Sequence, residues 1–295
     1  MKMQTQDWGA LVLLSLIWGA TFLFGRIAIV ELPPLTLTFA RVMIAAVVLN
    51  VALSVFQNDF QQSKSLWISF GIMGILNNLI PFGLIFYGQQ EIGAGLASII
   101  NAMTPIWTLI IAHQLTGDER LSKQKSIGVT FGFVGVAILI GWDAFKGLDG
   151  SVLAQIAVLG ATISYGFAAV FGRRFASVPP IQTARGQLSM STLILLPVVF
   201  WIDQPWSLPI PSTTTIWAVL ALAVVCTAFA YILYFRILTR AGAVNASLVT
   251  FLIPPSAIVL GVIFLNESFS IREFLGIALI MTGLIIIDGR LLNKP

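Results

Sequence analysis

Ten apolar runs, each close to 20 residues long, follow one another along the chain with short polar stretches between them. A helix needs about 20 apolar residues to cross the hydrocarbon core of a bilayer, so the pattern predicts ten transmembrane helices. Their expected positions are roughly 8–30, 35–56, 66–88, 94–115, 125–142, 151–174, 183–202, 216–237, 243–265 and 271–289. The first run continues into Arg26 and Glu31 without a small-x-small exit, so we expect a membrane helix rather than a cleaved signal peptide.

Composition supports the same class of protein. Hydrophobic residues make up 58% of the chain and charged residues only 9%, and the mean hydropathy is +0.95. A soluble domain of 295 residues would have almost no polar side chains to face water. The only cysteine, Cys226, lies inside an apolar run and has no partner for an intrachain disulfide. We therefore predict an all-α membrane protein.

One pattern of glycine, proline and acidic residues occurs twice. The matched residues are Gly93/Gly242, Ala97/Ala246, Ser98/Ser247, Pro105/Pro254, Glu119/Glu267, Ser122/Ser270, Gly128/Gly276 and Gly135/Gly283. Trp18-Gly19 similarly matches Tyr165-Gly166, so each copy holds five predicted spans. Because five is odd, the second copy enters the membrane in the opposite orientation. The sequence predicts two inverted five-helix repeats, residues 1–146 and 147–295, an architecture typical of secondary transporters.

Basic residues predict the orientation of the chain. With a cytoplasmic N-terminus, twelve Lys and Arg fall in inside segments and three in outside segments, and Arg41 lies within a span. Basic residues accumulate on the cytoplasmic side of membrane proteins. We therefore expect a multi-pass protein with both termini in the cytoplasm.

Several residues in the two repeats carry a resemblance to a known family. They are Trp18-Gly19 in the first span, Arg41 in the second, Gly93 through Pro105 in the fourth, and the acidic turns at Glu119 and Glu267. On these residues the chain resembles the EamA type of the drug/metabolite transporter superfamily, and in overall character it most resembles the YddG-type amino-acid exporters within it. The resemblance implies a ten-helix permease for amino acids, amines and other small metabolites, often an exporter, in the plasma (inner) membrane of a bacterium. One departure is that Gln187 stands where the second repeat would carry the partner of Arg41.

Polar and aromatic residues near the middle of spans are candidates for a substrate cavity, because polarity there is costly unless it faces protein or water. The candidates are Trp18, Asn78 and Asn101, with their repeat counterparts Tyr165, Thr227 and Thr250. A cavity needs apolar walls and a few hydrogen-bonding groups, which these residues supply. The alternative is a packing seam between helices, since Ser98, Thr104 and Thr108 share a helical face with Asn101.

Arg41 and two prolines complete the list of candidates. Arg41 could extend to the outer face, pair with Glu31, or hold a substrate carboxylate. Pro105 and Pro254 occupy equivalent positions inside spans, where each removes a backbone donor. We expect these prolines to be hinges, with static kinks as the alternative.

Missing motifs narrow the function. The chain has no P-loop, one histidine, no metal-ligand spacing and no carboxylate deep in a span. We therefore expect no enzyme, no cofactor, no metal site and no partner beyond a small-molecule substrate and the lipid bilayer. Nucleic acid binding is not expected, and a monomer suffices. The predicted function is secondary transport, with export of amino acids including apolar or aromatic ones. A drug or other metabolite permease, a channel and a lipid-binding scaffold remain alternatives.

Overall fold

The computed structural model describes residues 5–56, 63–116, 122–140, 150–241 and 249–288, and these form ten helices without any strand. The helices are α1 Thr5–Ala28, α2 Pro34–Phe56, α3 Lys64–Gly88, α4 Ala94–Leu115, α5 Lys123–Ile140, α6 Gly150–Gly172, α7 Pro180–Ile202, α8 213–241, α9 Val249–Leu265 and α10 Ile271–Asp288. Seven of them, α1 to α4 and α6 to α8, contain apolar stretches long enough to cross a bilayer. The prediction of an all-α membrane protein is confirmed.

Three helices are interrupted in the middle of the bundle. In α3 a π-helical segment, Ile75–Leu79, precedes Pro81, whose ring cannot pack against the carbonyl of the residue four positions earlier. In α8 a π-helical segment covers Ala221–Phe229, at the matching position of the second half, although no proline stands there. In α4 the α-helix stops at Asn101 and restarts at Thr104.

Glycines bring α5 and α10 into direct backbone contact. A Cβ atom on Gly128 would lie 2.5 Å from the carbonyl oxygen of Gly283, and one on Gly135 would lie 2.8 Å from that of Gly276. The sequence matches Gly128 with Gly276 and Gly135 with Gly283. Each glycine therefore contacts the counterpart of the other, and the two equivalent helices run antiparallel. Glycine permits this close approach of two helix backbones because it has no side chain.

Contacts between the halves follow the same exchange. Helix α1 packs on α8 and α9 of the second half, and its counterpart α6 packs on α3 and α4 of the first. Helix α2 likewise packs on α7 and α8, and its counterpart α7 packs on α2 and α3. Equivalent helices thus exchange their partners, as expected for two halves of opposite orientation. The proposed division between residues 146 and 147 lies in 141–149, outside the described residues, and stays a prediction.

Hydrophobic side chains form two core clusters that both cross between the halves. One is centred on α1, α4 and α9, and the other on α2, α7 and α8. Tyr165 packs against both clusters.

Candidate functional site

Most of the predicted site residues lie in the middle of the bundle, near the two π-helical segments. Asn78 belongs to the segment in α3 and Thr227 to the segment in α8, and both are fully buried. A π-helical turn adds one residue to the helix and displaces backbone groups from their usual partners, and such turns are frequent at functional sites. We call Arg41, Asn77, Asn78, Gln187, Ser191, Thr227 and Tyr231 the central polar band.

Arg41 is held on one side by α8 and on its face by α3. Its Nε donates a hydrogen bond to the Thr227 hydroxyl at 2.8 Å, and that hydroxyl donates to the Leu222 carbonyl at 2.7 Å across the π-helical segment. The guanidinium lies 3.8 Å from the ring centroid of Phe82, a cation–π contact worth about 2 kcal/mol when desolvated. Only 5% of Arg41 is exposed. The side chain therefore does not extend to the membrane surface.

The predicted alternative of an Arg41–Glu31 pair is also wrong. The Glu31 carboxylate lies in the connection after α1, where it accepts hydrogen bonds from the backbone N–H and the hydroxyl of Ser212. Arg41 forms no ion pair with any carboxylate of the described residues, and its Nη1 and Nη2 atoms make no hydrogen bond within them. A buried guanidinium with this arrangement keeps four of its five N–H donors available.

A neutral network lies around Gln187, the counterpart of Arg41, between α3 of the first half and α7 and α8 of the second. Asn77 donates to Gln187 Oε1 at 3.0 Å and contacts the Tyr231 hydroxyl at 3.3 Å. Asn78 donates to Ser191 at 3.0 Å, and Tyr231 donates to Asn78 Oδ1 at 3.0 Å. Asn78 is thus a satisfied link between three helices, which is the bonding that the packing-seam alternative describes.

Sequence reasoning missed Asn77, Ser191, Tyr231 and Phe82 as members of this site. A signal was available for two of them, because Tyr231 lies 149 positions after Phe82, the same spacing as Thr227 after Asn78. The spacing places an aromatic residue one turn after the polar residue in both α3 and α8. Asn77 had no such signal, since its role depends on the π-helical turn.

Aromatic side chains of α1, α6 and α8 lie beside the band. The half-buried Trp18 of α1 packs at 5.4 Å between ring centroids against Tyr234, one turn after the band on α8. Tyr165 of α6 is half-buried between the two core clusters, and with Tyr231 it lies within electrostatic range of Arg41. Aromatic faces beside a cation and several amides are suited to an amphipathic small molecule.

The α4 residues form a separate group at the helix break. Asn101 ends the first segment of α4, and its Oδ1 atom is buried without a hydrogen bond within the described residues. The Trp107 indole N–H is in the same situation. Ser98, Thr104 and Thr108 donate to carbonyls of their own helix, so they do not link α4 to a neighbour. The side chain of Thr250 lies outside the described residues.

The two predicted hinge prolines have different surroundings. Pro105 is in the first turn of the second α4 segment, directly after the break at residues 102–103. Pro254 lies inside α9, which continues as one helix from Val249 to Leu265. Equivalent positions thus have a broken helix in one half and a continuous helix in the other.

Three carboxylates join the halves at the end of the bundle where α1 ends, which is the predicted outer end. Each accepts two hydrogen bonds at the start of a helix from the other half, where the macrodipole favours negative charge. The contacts, which we call the outer clasps, are Asp203 with the N–H and hydroxyl of Thr36, Glu31 with Ser212, and Glu267 with the N–H groups of Ala94 and Gly95. The Ser212 hydroxyl and N–H hold the pKa of Glu31 below its ordinary value of 4.5.

A cavity of about 410 Å³ lies beside these contacts, lined by Arg26, Glu31, Ser212 and Glu267 among others. Arg26 donates to the Gln89 and Gln90 carbonyls, so the charged groups in this cavity already have protein partners. Within the described ranges, no group of three or more His, Cys, Asp or Glu could hold a metal ion. The central polar band is therefore the candidate site.

Comparison with known proteins identifies the family. The sequence pattern of the EamA-like transporter family matches residues 8–141 and again residues 152–288. The chain belongs to this family of transporters, which are not enzymes, and the resemblance seen in the sequence is confirmed at this level.

Several relatives match over nearly the whole chain. The chain is 26% identical to the transporter YoaV of Bacillus subtilis (strain 168), over 93% of this chain and 94% of the relative. It is also 26% identical to a protein of Escherichia coli (strain K12) named "Probable amino-acid metabolite efflux pump", over 96% and 95%. The inner membrane transporter YedA of the same strain is 24% identical over 95% and 89%. A crystal structure that covers 99% of both chains has a TM-score of 0.69 at 19% identity, which shows the same fold.

Proposed function

We propose that this protein is a secondary transporter that exports amino acids, including apolar or aromatic ones, from a bacterial cell. The observation that carries the proposal is the central polar band, which is buried at the contact between the two halves. A cation, amides and hydroxyls lie there among aromatic rings, halfway along membrane helices. Such a site fits a small molecule with a polar head and an apolar side chain.

The mechanism we propose is alternating access between inverted halves. In this mechanism the two halves exchange conformations, so equivalent helices differ in any one state. The broken α4 and continuous α9 are such a difference. The outer clasps tie the halves together at one end, which supports a state that is closed at that end. Trp18, Asn78, Asn101, Tyr165, Thr227, Thr250 and Arg41 remain the proposed substrate-binding residues, with Pro105 and Pro254 as the proposed hinges.

The names of two relatives support the proposed direction and the proposed location, respectively. One carries amino-acid metabolite efflux in its name, and another is named as an inner membrane transporter. We therefore keep the prediction of an inner-membrane protein with cytoplasmic termini, working as a monomer. The subgroup of YddG-type exporters remains part of the proposal. The second candidate is a drug or other metabolite permease, since the relatives include transporters without a stated substrate.

A counterflow screen tests the proposal. Purified protein in proteoliposomes is loaded with each of a panel of amino acids and organic cations, and uptake of the same labelled compound is measured. We expect saturable exchange of apolar or aromatic amino acids. Exchange of organic cations alone would favour the drug permease, and flux that never saturates would favour a channel. If no solute moves, the chain acts as a lipid-binding scaffold and the proposal fails.

A further inference from the structure

We propose that Arg41 binds the carboxylate of the substrate through the Nη1–Nη2 edge of its guanidinium, which makes a carboxylate an obligatory part of the substrate. This inference deepens the proposed function and rests on it. It assigns to one residue the choice between amino acids and the corresponding amines or amides.

Two contacts fix the orientation of the Arg41 guanidinium. Its Nε edge is occupied by the Thr227 hydroxyl, and one face is covered by the Phe82 ring. The Nη1–Nη2 edge is the one that remains without a hydrogen bond to the described residues. That edge presents two parallel N–H groups, the geometry that a carboxylate accepts in a bidentate pair.

The positive charge of the buried Arg41 lacks a counter-charge among the described residues. A buried cation requires a counter-charge or extensive hydrogen bonding, because it has lost its hydration. The Phe82 ring and one hydroxyl supply part of this stabilisation. The carboxylates of the described residues lie at helix ends and connections, and the three outer clasps use theirs for helix N-termini. The substrate is the remaining source of a negative charge at this depth.

The second half carries a neutral residue at the position equivalent to Arg41. The counterpart of Arg41 is Gln187, whose amide oxygen accepts from Asn77. The two halves therefore present a charged group and a neutral group at equivalent positions. An apolar amino acid is likewise different at its two ends, since it carries a charged carboxylate at one end and an uncharged side chain at the other. Trp18 packs on Tyr234, one turn after the band, and Tyr165 lies within electrostatic range of Arg41, so these two rings are the proposed wall for that side chain.

The test compares ligands that differ only in the carboxylate. Counterflow of labelled L-phenylalanine in proteoliposomes is inhibited with L-phenylalanine, L-phenylalaninamide or phenethylamine. We expect the wild-type protein to prefer the carboxylate by at least about thirtyfold, because a charge-assisted bidentate pair is lost with the amide. In Arg41→Gln, which copies the residue of the other half, the preference should fall to within about threefold.

Arg185→Gln is the matched control. Arg185 lies on α7, where its Nε donates to Asn50 Oδ1 of α2 at 2.7 Å. This variant loses the same charge and should keep the wild-type preference. If Arg41→Gln does not yield folded protein, Arg41→Lys replaces it, and we expect a reduced preference because an ammonium group cannot form the bidentate pair.

The outcomes separate the two proposals. If the wild-type protein transports phenylalanine but accepts the amide equally well, the assignment of Arg41 is wrong while the transport function stands. The same conclusion follows if Arg41→Gln keeps the full preference. If no amino acid is transported at all, the proposed function fails and the assignment fails with it.

Discussion

The outer clasp at Glu267 gives the sharpest prediction about the conformational change. Its carboxylate, from the connection between α9 and α10, accepts hydrogen bonds from the N–H groups of Ala94 at 2.6 Å and Gly95 at 3.0 Å. These groups belong to the other half, so the contact must break when the halves separate at this end. Glu267→Gln removes the charge and one of the two acceptor oxygens.

The expected size of the effect follows from these contacts. A hydrogen bond to a charged group contributes about 1.5–3 kcal/mol, and Glu267 is only half-buried, which reduces the value. We therefore expect the closed state to lose about 2 kcal/mol relative to the open one. Since about 1.4 kcal/mol changes an equilibrium tenfold, the open population should rise by about thirtyfold.

The protein carries its own probe for this change. Cys226 is the only cysteine, and it is buried with 1% exposure in the π-helical segment of α8, next to Thr227 of the central polar band. A membrane-impermeant maleimide, applied from each side of reconstituted vesicles, should label Cys226 faster in Glu267→Gln from the clasp side only. The control is Glu273→Gln, because Glu273 caps α10 through Ser270 within its own half. Equal labelling rates in the wild type and both variants would refute the reasoning.

Three further predictions follow from the same geometry. Trp18→Ala and Tyr165→Ala should lower amino-acid counterflow by about tenfold or more while thermal unfolding in detergent changes little; normal transport in both would make these residues structural. Pro105→Ala and Pro254→Ala should shift Cys226 labelling in opposite directions between the two sides, and equal labelling would indicate static kinks. The pKa of Glu31 is lowered in the folded protein, so its clasp is intact above the ordinary value of 4.5 and weakens as pH falls below it. The ratio of Cys226 labelling in the wild type to that in Glu31→Gln, taken at the same pH so that the smaller thiolate fraction cancels, should therefore rise towards one below pH 4.5; a ratio that does not change with pH would contradict this role.

The helices and their inverted arrangement were accessible from the sequence for identifiable reasons. Apolar runs report helix length directly, because the bilayer fixes the span. Glycine positions helped to define the repeat, and the matched Gly128 and Gly276 lie where α5 and α10 touch. The residues of the site were only partly accessible. Thr227 and Arg41 do meet, at 2.8 Å, whereas the sequence suggested Glu31 as an alternative partner for Arg41.

Other features could not be predicted because they depend on three-dimensional packing. No proline marks the π-helical turn of α8 in the sequence. This turn determines where the Thr227 side chain points. The clasp between Thr36 and Asp203 joins residues 167 positions apart, and the hydrophobic pattern of the sequence does not predict a contact over such a separation. The break in α4 illustrates a further limit, since equivalent prolines are compatible with a broken and with a continuous helix.

The central claim is that one buried site, alternately open to each side, carries amino acids across the membrane. The most direct measurement is the time course of labelled L-phenylalanine uptake into proteoliposomes that contain excess unlabelled L-phenylalanine. A carrier that exposes one site alternately predicts a transient accumulation above equilibrium that saturates with external substrate and disappears when the interior is empty. Uptake that rises smoothly to equilibrium, with the same rate in loaded and empty vesicles, would contradict the account.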